Sequence, residues 1–243
     1  MSNLSILPFF FKSQNLLCAR VLTVPAMTVL PLRCTPLDDL LGGGIESGII
    51  TRIYGEAGSG KTNLCLQAAR ECVLGGKKVA YIDTEGVSIE RVRQICVDCD
   101  YKKVLREILF FSPTSFESQE QMTQDAITQK NVGLVVIDTI TMFYRLNLED
   151  DRDGTIRSFT RQVTNLQVAA REKDLYVLLT EQVYTDKNGE IRPFTNRDTE
   201  HMAKTILRLE RKGVGEREAT IMKHRSQPEG KKACFRINAA GLE

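Results

Sequence analysis

Short apolar runs alternate with longer amphipathic stretches from about residue 36 onwards. The runs are continuous and rich in Val, Ile and Leu, which is typical of parallel strands that are buried on both faces. Gly, Pro or charged residues bound each run. We therefore predict strands at residues 49–55, 79–83, 108–112, 134–138 and 175–180.

The segments between these strands have helical periodicity. Leu64, Ala68 and Cys72 recur every four residues, which places them on one face of a helix. Residues 89–97 and 116–130 are further predicted helices. The clearest amphipathic pattern has spacings of 3, 4, 3 and 4 residues and consists of Ile156, Phe159, Val163, Leu166 and Ala170.

The last part of the chain changes character. Residues 205–210, 218–223 and 233–237 are predicted strands, separated by turns that contain Gly or Pro. Residues 183–199 are polar and are predicted to form a long loop. Strand–helix alternation followed by hairpins indicates one α/β domain with a mostly parallel sheet and antiparallel C-terminal strands.

The composition is that of an ordinary globular protein, with 42% hydrophobic and 26% charged residues. Seven scattered cysteines do not suggest a disulfide framework and fit a reducing cytoplasm. Cys96 and Cys99 form a C-x-x-C, but no second Cys or His pair follows at zinc spacing. We interpret them as two thiols at a helix end. No run of 18 apolar residues occurs, so we expect no membrane span.

Residues 1–26 do not share the regular pattern. Their FFF run precedes the first charge, Lys12, which is the wrong order for a signal peptide. A second methionine, Met27, comes just before the pattern begins. We therefore expect an N-terminal extension outside the fold, followed by one core domain over residues 27–243.

The segment GEAGSGKT follows a predicted strand and opens a predicted helix. In this context G-x-x-x-x-G-K-[ST] binds phosphate, because its glycines let backbone N–H groups turn inward and the helix N-terminus adds positive potential. The lysine reaches the β- and γ-phosphates of ATP, and the threonine hydroxyl holds Mg²⁺. The predicted nucleotide-binding residues are Gly55, Glu56, Ala57, Gly58, Ser59, Gly60, Lys61 and Thr62.

Two carboxylates and an amide stand at or near the ends of predicted strands. Asp138 is a candidate for holding Mg²⁺, with a helix N-cap as the alternative. Glu85, in the segment YIDTEG, is a candidate for orienting or deprotonating the attacking water, although solvated loop acids are common. Gln182 could sense the γ-phosphate, or it could be a structural amide.

Together these motifs resemble the recombinase family of archaeal RadA and its eukaryotic relatives. The resemblance extends over residues 35–243. It implies a RecA-like P-loop ATPase core that binds ATP and Mg²⁺. The segments that carry it are LGGGIESGIITRIYGEAGSGKTNLCLQ at 41–67, IDTEG, LVVIDTIT followed by YR, Arg161-Gln162 and EQV at 181–183.

Residues of that family can be matched to this chain one at a time. Lys61 and Thr62 match the lysine and threonine of the phosphate loop, and Asp138 matches the acid that holds magnesium. Glu85 matches the catalytic glutamate. Gln182 matches the glutamine that couples the nucleotide to DNA.

Within the family the chain resembles the RadB branch, the short archaeal paralogues of RadA. Too few residues precede Pro36 for a helix-hairpin-helix domain, KHRSQPEG at 223–230 is similar to the RadB tail, and no Phe-x-x-Ala polymerisation peptide occurs. This resemblance implies an ATP- and DNA-binding accessory protein of homologous recombination and DNA repair, a weak ATPase that assists RadA. Self-association as a dimer fits the resemblance, whereas a long filament does not.

One departure from the family concerns Glu181, where the recombinases usually carry Asn. A carboxylate beside the γ-phosphate is repulsive unless it is paired or metal-bound, which argues against rapid hydrolysis. A non-hydrolysing, ATP-bound adaptor is therefore a competing function. A hexameric ATPase of helicase or clock type is a further alternative, which only the K-x-R of Lys223 and Arg225 supports.

The stretches that match the two DNA-binding loops of the recombinases are not basic. Residues 149–153 contain four acids and one arginine, and residues 183–200 have a net charge of −1. DNA affinity comes mainly from Lys and Arg that neutralise phosphates, so we expect moderate, mainly non-specific binding. The candidates are Arg145, just before the first stretch (residues 146–154), Arg152 within it, and Arg192 in the second stretch (residues 183–199).

Positive charge is concentrated in the tail instead. Residues 204–232 contain nine lysines and arginines against four acids. Lys223, His224 and Arg225 could bind DNA phosphates as part of a basic patch, or Lys223 and Arg225 could reach a neighbour's nucleotide. The remaining interpretation is a solvated basic edge strand, which also protects against aggregation.

Overall fold

The computed structural model describes residues 27–194 and 197–243, and the predicted extension at residues 1–26 lies outside the described residues. In chain order the elements are β1 (Val29–Leu30), α1 (Thr35–Leu41), β2 (Ile45–Glu46), β3 (Ile49–Gly55), α2 (Lys61–Leu74), β4 (Lys78–Asp83), α3 (Ile89–Ile95), α4 (Tyr101–Glu107), β5 (Ile108–Phe111), α5 (Phe116–Thr128), β6 (Val132–Asp138), α6 (Thr141–Asn147), α7 (Arg152–Lys173), β7 (Tyr176–Glu181), β8 (Val183–Thr185), β9 (Ile191–Pro193), α8 (Arg197–Glu200), β10 (Thr205–Arg211), β11 (Glu216–Lys223), β12 (Lys232–Asn238) and β13 (Gly241–Leu242).

A nine-stranded sheet runs through the molecule in the order β13-β12-β11-β10-β3-β7-β6-β4-β5. The strands from β10 to β5 are parallel to one another. Beyond β10, the strands β11, β12 and β13 extend the sheet in antiparallel pairs. The predicted α/β class, with a mostly parallel sheet and antiparallel C-terminal strands, is confirmed.

Helices cover both faces of this sheet. On one face α1 to α4 pack through residues such as Leu64 and Val92. On the other face α5, α6 and α7 pack through Phe116, Tyr144 and Phe159. Burial on both faces explains why the central strands are continuous apolar runs rather than alternating ones.

The carboxyl ends of four core strands lie side by side in the order β3-β7-β6-β4. The parallel register aligns Tyr54 with Glu181, and Asp83 with Asp138. Ligands of open α/β sheets bind at this edge, because the loops that leave the strands converge there. The strand order therefore brings together segments that are far apart in the chain.

The predicted loop over residues 183–199 is partly wrong, because a hairpin of β8 and β9 lies within it. Val183, Tyr184 and Thr185 are β-branched or aromatic and favour a strand. The turn that follows is closed by Asp186, whose Oδ1 accepts the backbone N–H of Asn188 at 2.8 Å. The polar composition of the segment had indicated a loop, although it contains this short strand pair and its turn.

The acidic stretch near residue 150 is a short turn between two helices, and it runs into the second of them. Helix α6 continues to Asn147 and helix α7 begins at Arg152. Asp151 is the N-cap of α7, and its Oδ1 accepts the backbone N–H of Gly154 at 3.0 Å. Acids at a helix N-terminus complement the helix dipole, so this acidity has a local structural use.

No helix within the described ranges combines the length and the hydropathy needed to cross a membrane.

Candidate functional site

The glycine-rich loop between β3 and α2 is packed too tightly for side chains at two of its glycines. A Cβ at Gly55 would lie 2.2 Å from the carbonyl oxygen of Leu209. Gly60 has φ of 107°, and a Cβ there would lie 2.8 Å from Cδ1 of Ile237. The C-terminal strands thus hold the loop in the curled form that exposes backbone N–H groups to an anion.

Lys61 begins helix α2 and is almost fully buried. Its Nζ donates to the carbonyl oxygens of Gly55 at 2.7 Å and Glu56 at 3.0 Å. Burial lowers the pKa of Lys61, and the negative charges of Glu85 and Asp138 oppose that shift. A triphosphate at this loop would supply the strong anionic acceptors that the ammonium lacks.

Asp138 ends strand β6 and is 1% exposed. Its Oδ2 accepts the hydroxyl of Tyr81 at 2.9 Å, and its Oδ1 accepts the hydroxyl of Thr180. Burial raises the pKa of Tyr81 well above its ordinary value, and the charge of Asp138 adds to that rise, so Tyr81 remains a donor. The carboxylate is therefore fixed in orientation by two hydroxyls from the neighbouring strands, and its remaining lone pairs can still accept from a water.

Glu85 and Gln182 meet across the carboxyl edge of the sheet. Nε2 of Gln182 donates to Oε1 of Glu85 at 2.9 Å. Nη1 of Arg145 donates to Oε1 of Gln182 at 2.7 Å. The Arg145 guanidinium also lies 3.9 Å from the ring centre of Phe194. These contacts link the predicted catalytic acid, through the predicted sensor amide, to the segment that follows the β8–β9 hairpin.

Asp83, which precedes Glu85 in YIDTEG, has a structural use. Its two carboxylate oxygens accept the backbone N–H groups of Gly86 at 2.8 Å and Val87 at 2.6 Å. Thr84 joins this loop to β6, because its backbone N–H donates to the carbonyl of Asp138 at 2.9 Å. The loop that carries Glu85 is thereby held next to Asp138.

A cleft of about 610 Å³ unites the predicted residues. Lys61, Thr62, Glu85, Gln182 and Arg145 all line it, together with the phosphate loop. The arrangement fits a nucleoside triphosphate, because the loop offers a curled backbone and a buried ammonium to the cleft. Thr62 and Asp138 are the residues that could hold magnesium.

Ser59 lies within the phosphate loop but does not line the cleft. Its side chain is fully buried, and its Oγ makes no hydrogen bond within the described residues. A buried hydroxyl without a partner is costly.

Sequence reasoning missed two polar residues at the edge of the cleft. Asn63 lines the cleft, and its Oδ1 accepts Nε of Arg91 at 2.5 Å. Nη1 of Arg91 also donates to the carbonyl oxygens of Asn238 at 3.0 Å and Ala239 at 3.2 Å. These residues carry no local motif, so the sequence held no signal for them.

Glu181 does not line the cleft. It is buried against Arg52 of β3, with Nε to Oε1 at 2.5 Å and Nη2 to Oε2 at 2.8 Å. The predicted repulsion between this carboxylate and a γ-phosphate therefore loses its basis, because the condition of pairing is met.

This chain is similar to known proteins over most of its length. A family model described as Rad51 matches residues 26–243. The chain belongs to the Rad51 family. A protein of Methanococcoides burtonii named DNA repair and recombination protein RadB is 46% identical, over 86% of this chain and 95% of its own length. A protein of the same name from Archaeoglobus fulgidus is 41% identical, over 88% of this chain and 98% of its own.

A solved structure agrees with these relatives. A crystal structure of the RadB recombinase matches this Rad51-family chain with a TM-score of 0.78 and 37% identity, over 88% of this chain and 99% of that one. The predicted resemblance to the RadB branch and to a RecA-like core is therefore confirmed.

The candidate DNA-binding residues of this Rad51-family chain do not form one free basic surface. Arg192 is paired with Asp186 at 3.1 Å and with Glu190 at 2.5 Å. Nε of Arg225 pairs with Oε1 of Glu46 at 3.0 Å. Two of the candidate cations are thus already neutralised by carboxylates of the same chain.

The remaining candidates differ in setting. Arg145 belongs to the nucleotide cleft, and Arg152 is exposed at the first turn of α7. Nζ of Lys223 donates to the carbonyl of Glu200 at 3.3 Å. His224 holds a turn, because its Nδ1 accepts the backbone N–H groups of Ser226 and Gln227. Their role in DNA binding stays a prediction.

Proposed function

We propose that this chain is an ATP- and DNA-binding accessory protein of homologous recombination and DNA repair, with weak ATPase activity, which assists a RadA-type recombinase in the cytoplasm. The observation that carries the proposal is the cleft in which Lys61, Thr62, Glu85 and Gln182 meet close to the buried Asp138. The name of the relatives, DNA repair and recombination protein RadB, supports the cellular role.

In this proposal the phosphate loop binds the triphosphate through its backbone N–H groups, and Lys61 exchanges carbonyl acceptors for β- and γ-phosphate oxygens. Magnesium, when bound through Thr62 and Asp138, neutralises charge on the phosphates. Glu85 orients and deprotonates the attacking water. Gln182 releases Glu85 when the γ-phosphate is present and passes that change to the β8–β9 hairpin.

Slow turnover follows from the same contacts. The amide of Gln182 occupies one oxygen of the Glu85 carboxylate at 2.9 Å, and Arg145 holds that amide from the other side. The attacking water must compete with this amide for the carboxylate, which lowers the share of molecules in which Glu85 is ready to act as a base. The hydrogen bond between Gln182 and Glu85 also favours the competing function. In that case the protein is a non-hydrolysing adaptor, and bound ATP stabilises the conformation that binds its partner.

The ring-forming ATPase is the weaker alternative. A Lys223–Arg225 finger would require Arg225 to leave Glu46, with which it pairs at 3.0 Å within its own chain. Light scattering with ATP tests this alternative, because a monomer or dimer eliminates a ring.

ATP turnover, measured with and without single-stranded DNA, separates the weak ATPase from the adaptor. We expect Lys61→Ala to abolish nucleotide binding. We expect Glu85→Gln to keep binding but to lower turnover about 10²–10⁴-fold, the usual contribution of a general base. Glu90→Gln, an exposed acid five residues further on, is the matched control and should behave as wild type. A wild-type protein that binds ATP and never hydrolyses it, even with DNA, would be an adaptor.

The partnership with RadA requires its own experiment. We expect the purified chain to retain RadA from extract of its own cells, and to do so differently with and without ATP. Absence of RadA in both conditions would contradict the accessory role, while leaving the nucleotide site untouched.

A further inference from the structure

The C-x-x-C of Cys96 and Cys99 closes a turn between α3 and α4. Cys96 is the C-cap of α3, and the backbone N–H of Cys99 donates to the carbonyl of Cys96 at 3.1 Å. A turn closed over four residues brings its end Cα atoms within about 7 Å, which overlaps the range that a disulfide spans. The backbone therefore already places the two thiols for a bond.

The two thiols differ in accessibility and contact each other. Cys96 is buried and Cys99 is half-buried. Burial raises the pKa of Cys96 to about 12, and the charge and hydrogen bond of the neighbouring Cys99 thiol add to the rise. An oxidant from solvent therefore meets Cys99 first, while Cys96 stays protonated behind it.

A buried guanidinium from the phosphate-loop helix stands beside this pair. The Arg70 side chain is 8% exposed and forms ion pairs with Glu71 and with Asp98, which lies inside the turn. Burial opposes the charge of Arg70, but hydrogen bonds to Asp98 and to the Cys99 thiol raise its pKa above the ordinary value. The guanidinium thus holds the Cys99 sulfur by a hydrogen bond at the edge of the turn.

We propose that Cys96 and Cys99 form an oxidisable dithiol, in which Cys99 reacts with small-molecule disulfides and Cys96 resolves the product. The Cys99 thiolate attacks one sulfur of the small disulfide, and the other sulfur leaves as a thiolate. Cys96 then passes its proton to the first released thiolate and attacks the Cys99 sulfur, which expels the second small thiolate. That thiolate takes up from solvent the proton that the Cys99 thiol had lost to it. Two protein thiols are oxidised to one disulfide, and one small disulfide is reduced to two thiols.

The other cysteines of the described residues lack this arrangement. Cys34, Cys65 and Cys72 are buried, and Cys234 is exposed, far along the chain in β12. No group of three or more metal-ligating side chains occurs in the described part of the chain, which argues against zinc at the pair. The inference does not depend on the proposed function.

The experiment uses the full chain with Cys18→Ser and Cys234→Ser, which removes the exposed thiol of β12 and the one outside the described residues. The protein is incubated with oxidised glutathione, quenched in acid, alkylated, digested and analysed by mass spectrometry. We expect a disulfide between Cys96 and Cys99. When Cys96→Ser is added to this protein, we expect glutathione to remain bound to Cys99. When Cys99→Ser is added instead, we expect the protein to bind far less glutathione. Both thiols remaining free, or glutathione preferring Cys96, would overturn the proposal.

Arg70 provides a second readout in the protein with all cysteines present. We expect Arg70→Gln to slow alkylation of Cys99 relative to Cys234 in the same molecule. Loss of folding would have the opposite effect and expose Cys99, so slower alkylation is specific to the cation. An unchanged or faster rate would remove Arg70 from the proposal, and an unreactive Cys99 in both proteins would remove the dithiol.

Discussion

Arg52 and Glu181 form a buried ion pair between β3 and β7, with side chains 3% and 1% exposed. Removing two charges from water costs several kcal/mol, which attraction between them offsets only when the geometry is good. Here the pair makes two hydrogen bonds, at 2.5 and 2.8 Å. Loss of Glu181 removes both of these hydrogen bonds from a buried guanidinium at the strand next to the phosphate loop.

We therefore expect Glu181→Ala to lower the free energy of unfolding by about 3–5 kcal/mol, the usual cost of breaking a buried ion pair. Urea denaturation measures this difference. Glu90→Ala is the control, because its pair with Arg93 is exposed and contributes about 0–1 kcal/mol. A loss below about 1 kcal/mol for Glu181→Ala, the range of an exposed pair, would contradict this expectation.

The contact between Arg52 and Glu181 could not be predicted from the sequence. Lys61 and Glu85 were predictable because each lies in a short motif next to a strand. Arg52 and Glu181 are 129 positions apart, and Arg91 and Asn63 are 28 apart. Their contacts depend on which strands become neighbours and how helices pack on them, and no local pattern records that.

Among the elements, helix α7 shows how a charged stretch is used structurally. Asp151 caps its N-terminus, and a Cβ at Gly154 would lie 1.9 Å from Oδ2 of Asp151. The glycine thus makes room for the cap. The apolar pattern predicted the helix from Ile156 onwards. Its first turn was not predicted, because that segment matches a DNA-binding loop of the recombinase family.

We expect Asp151→Ala to destabilise the protein by about 1 kcal/mol, the usual value of an N-cap carboxylate. Asp150→Ala is the matched control: it removes the same charge one position earlier without touching the cap, and should change stability by less than about 0.5 kcal/mol. Thermal denaturation of the two variants compares them directly. Equal losses would show that general charge near α7, rather than the cap, matters.

Short elements explain most of the differences between predicted and observed structure. Helices α1 and α4 have seven residues each, and β13 has two. Such lengths hold less than two full apolar repeats, so periodicity cannot identify them. Helix α7 has 22 residues and holds several repeats, and the pattern predicted it. Core strands such as β3, with seven residues, are no longer than α1, and they were predicted from continuous apolar runs instead.

The turn between β11 and β12 makes stability depend on pH. His224 accepts two backbone N–H groups at Nδ1, which requires that nitrogen to be unprotonated. Burial lowers the pKa of His224, the charge of Glu46 opposes this, and Arg225 and Lys231 add to it. The folded state therefore binds the proton less readily than the unfolded chain does.

It follows that stability is lost as the pH falls through the ordinary histidine pKa of about 6.5. We expect the free energy of unfolding to decrease between about pH 7.5 and 5.5. His224→Asn should flatten this dependence, because the amide oxygen can accept the same N–H groups without titrating. His201→Asn, at the other histidine, is the control and should keep the slope. If the His224→Asn variant keeps the same pH dependence of the free energy of unfolding, that dependence comes from other titratable groups.

Across the whole molecule, positive charge is largely balanced where DNA would be expected to bind. The net charge is only +2. In the β8–β9 hairpin, Arg192 is held between Asp186 and Glu190, and in the turn after β11, Arg225 is held by Glu46. Phosphates must compete with these carboxylates, which is consistent with moderate, mainly non-specific binding in our proposal.

Releasing Arg192 tests this view of the molecule. We expect Asp186→Asn with Glu190→Gln to bind single-stranded DNA more tightly and to steepen the slope of log K against log salt by about 0.7, one additional phosphate contact. The amide introduced by Asp186→Asn keeps an oxygen for the backbone N–H groups that the carboxylate of Asp186 now accepts, so the turn is retained. Glu117→Gln with Glu172→Gln changes net charge equally on exposed parts of α5 and α7 and should leave the slope unchanged. Fluorescence anisotropy over a salt series measures both variants, and equal slopes in the two would show that Arg192 does not face DNA.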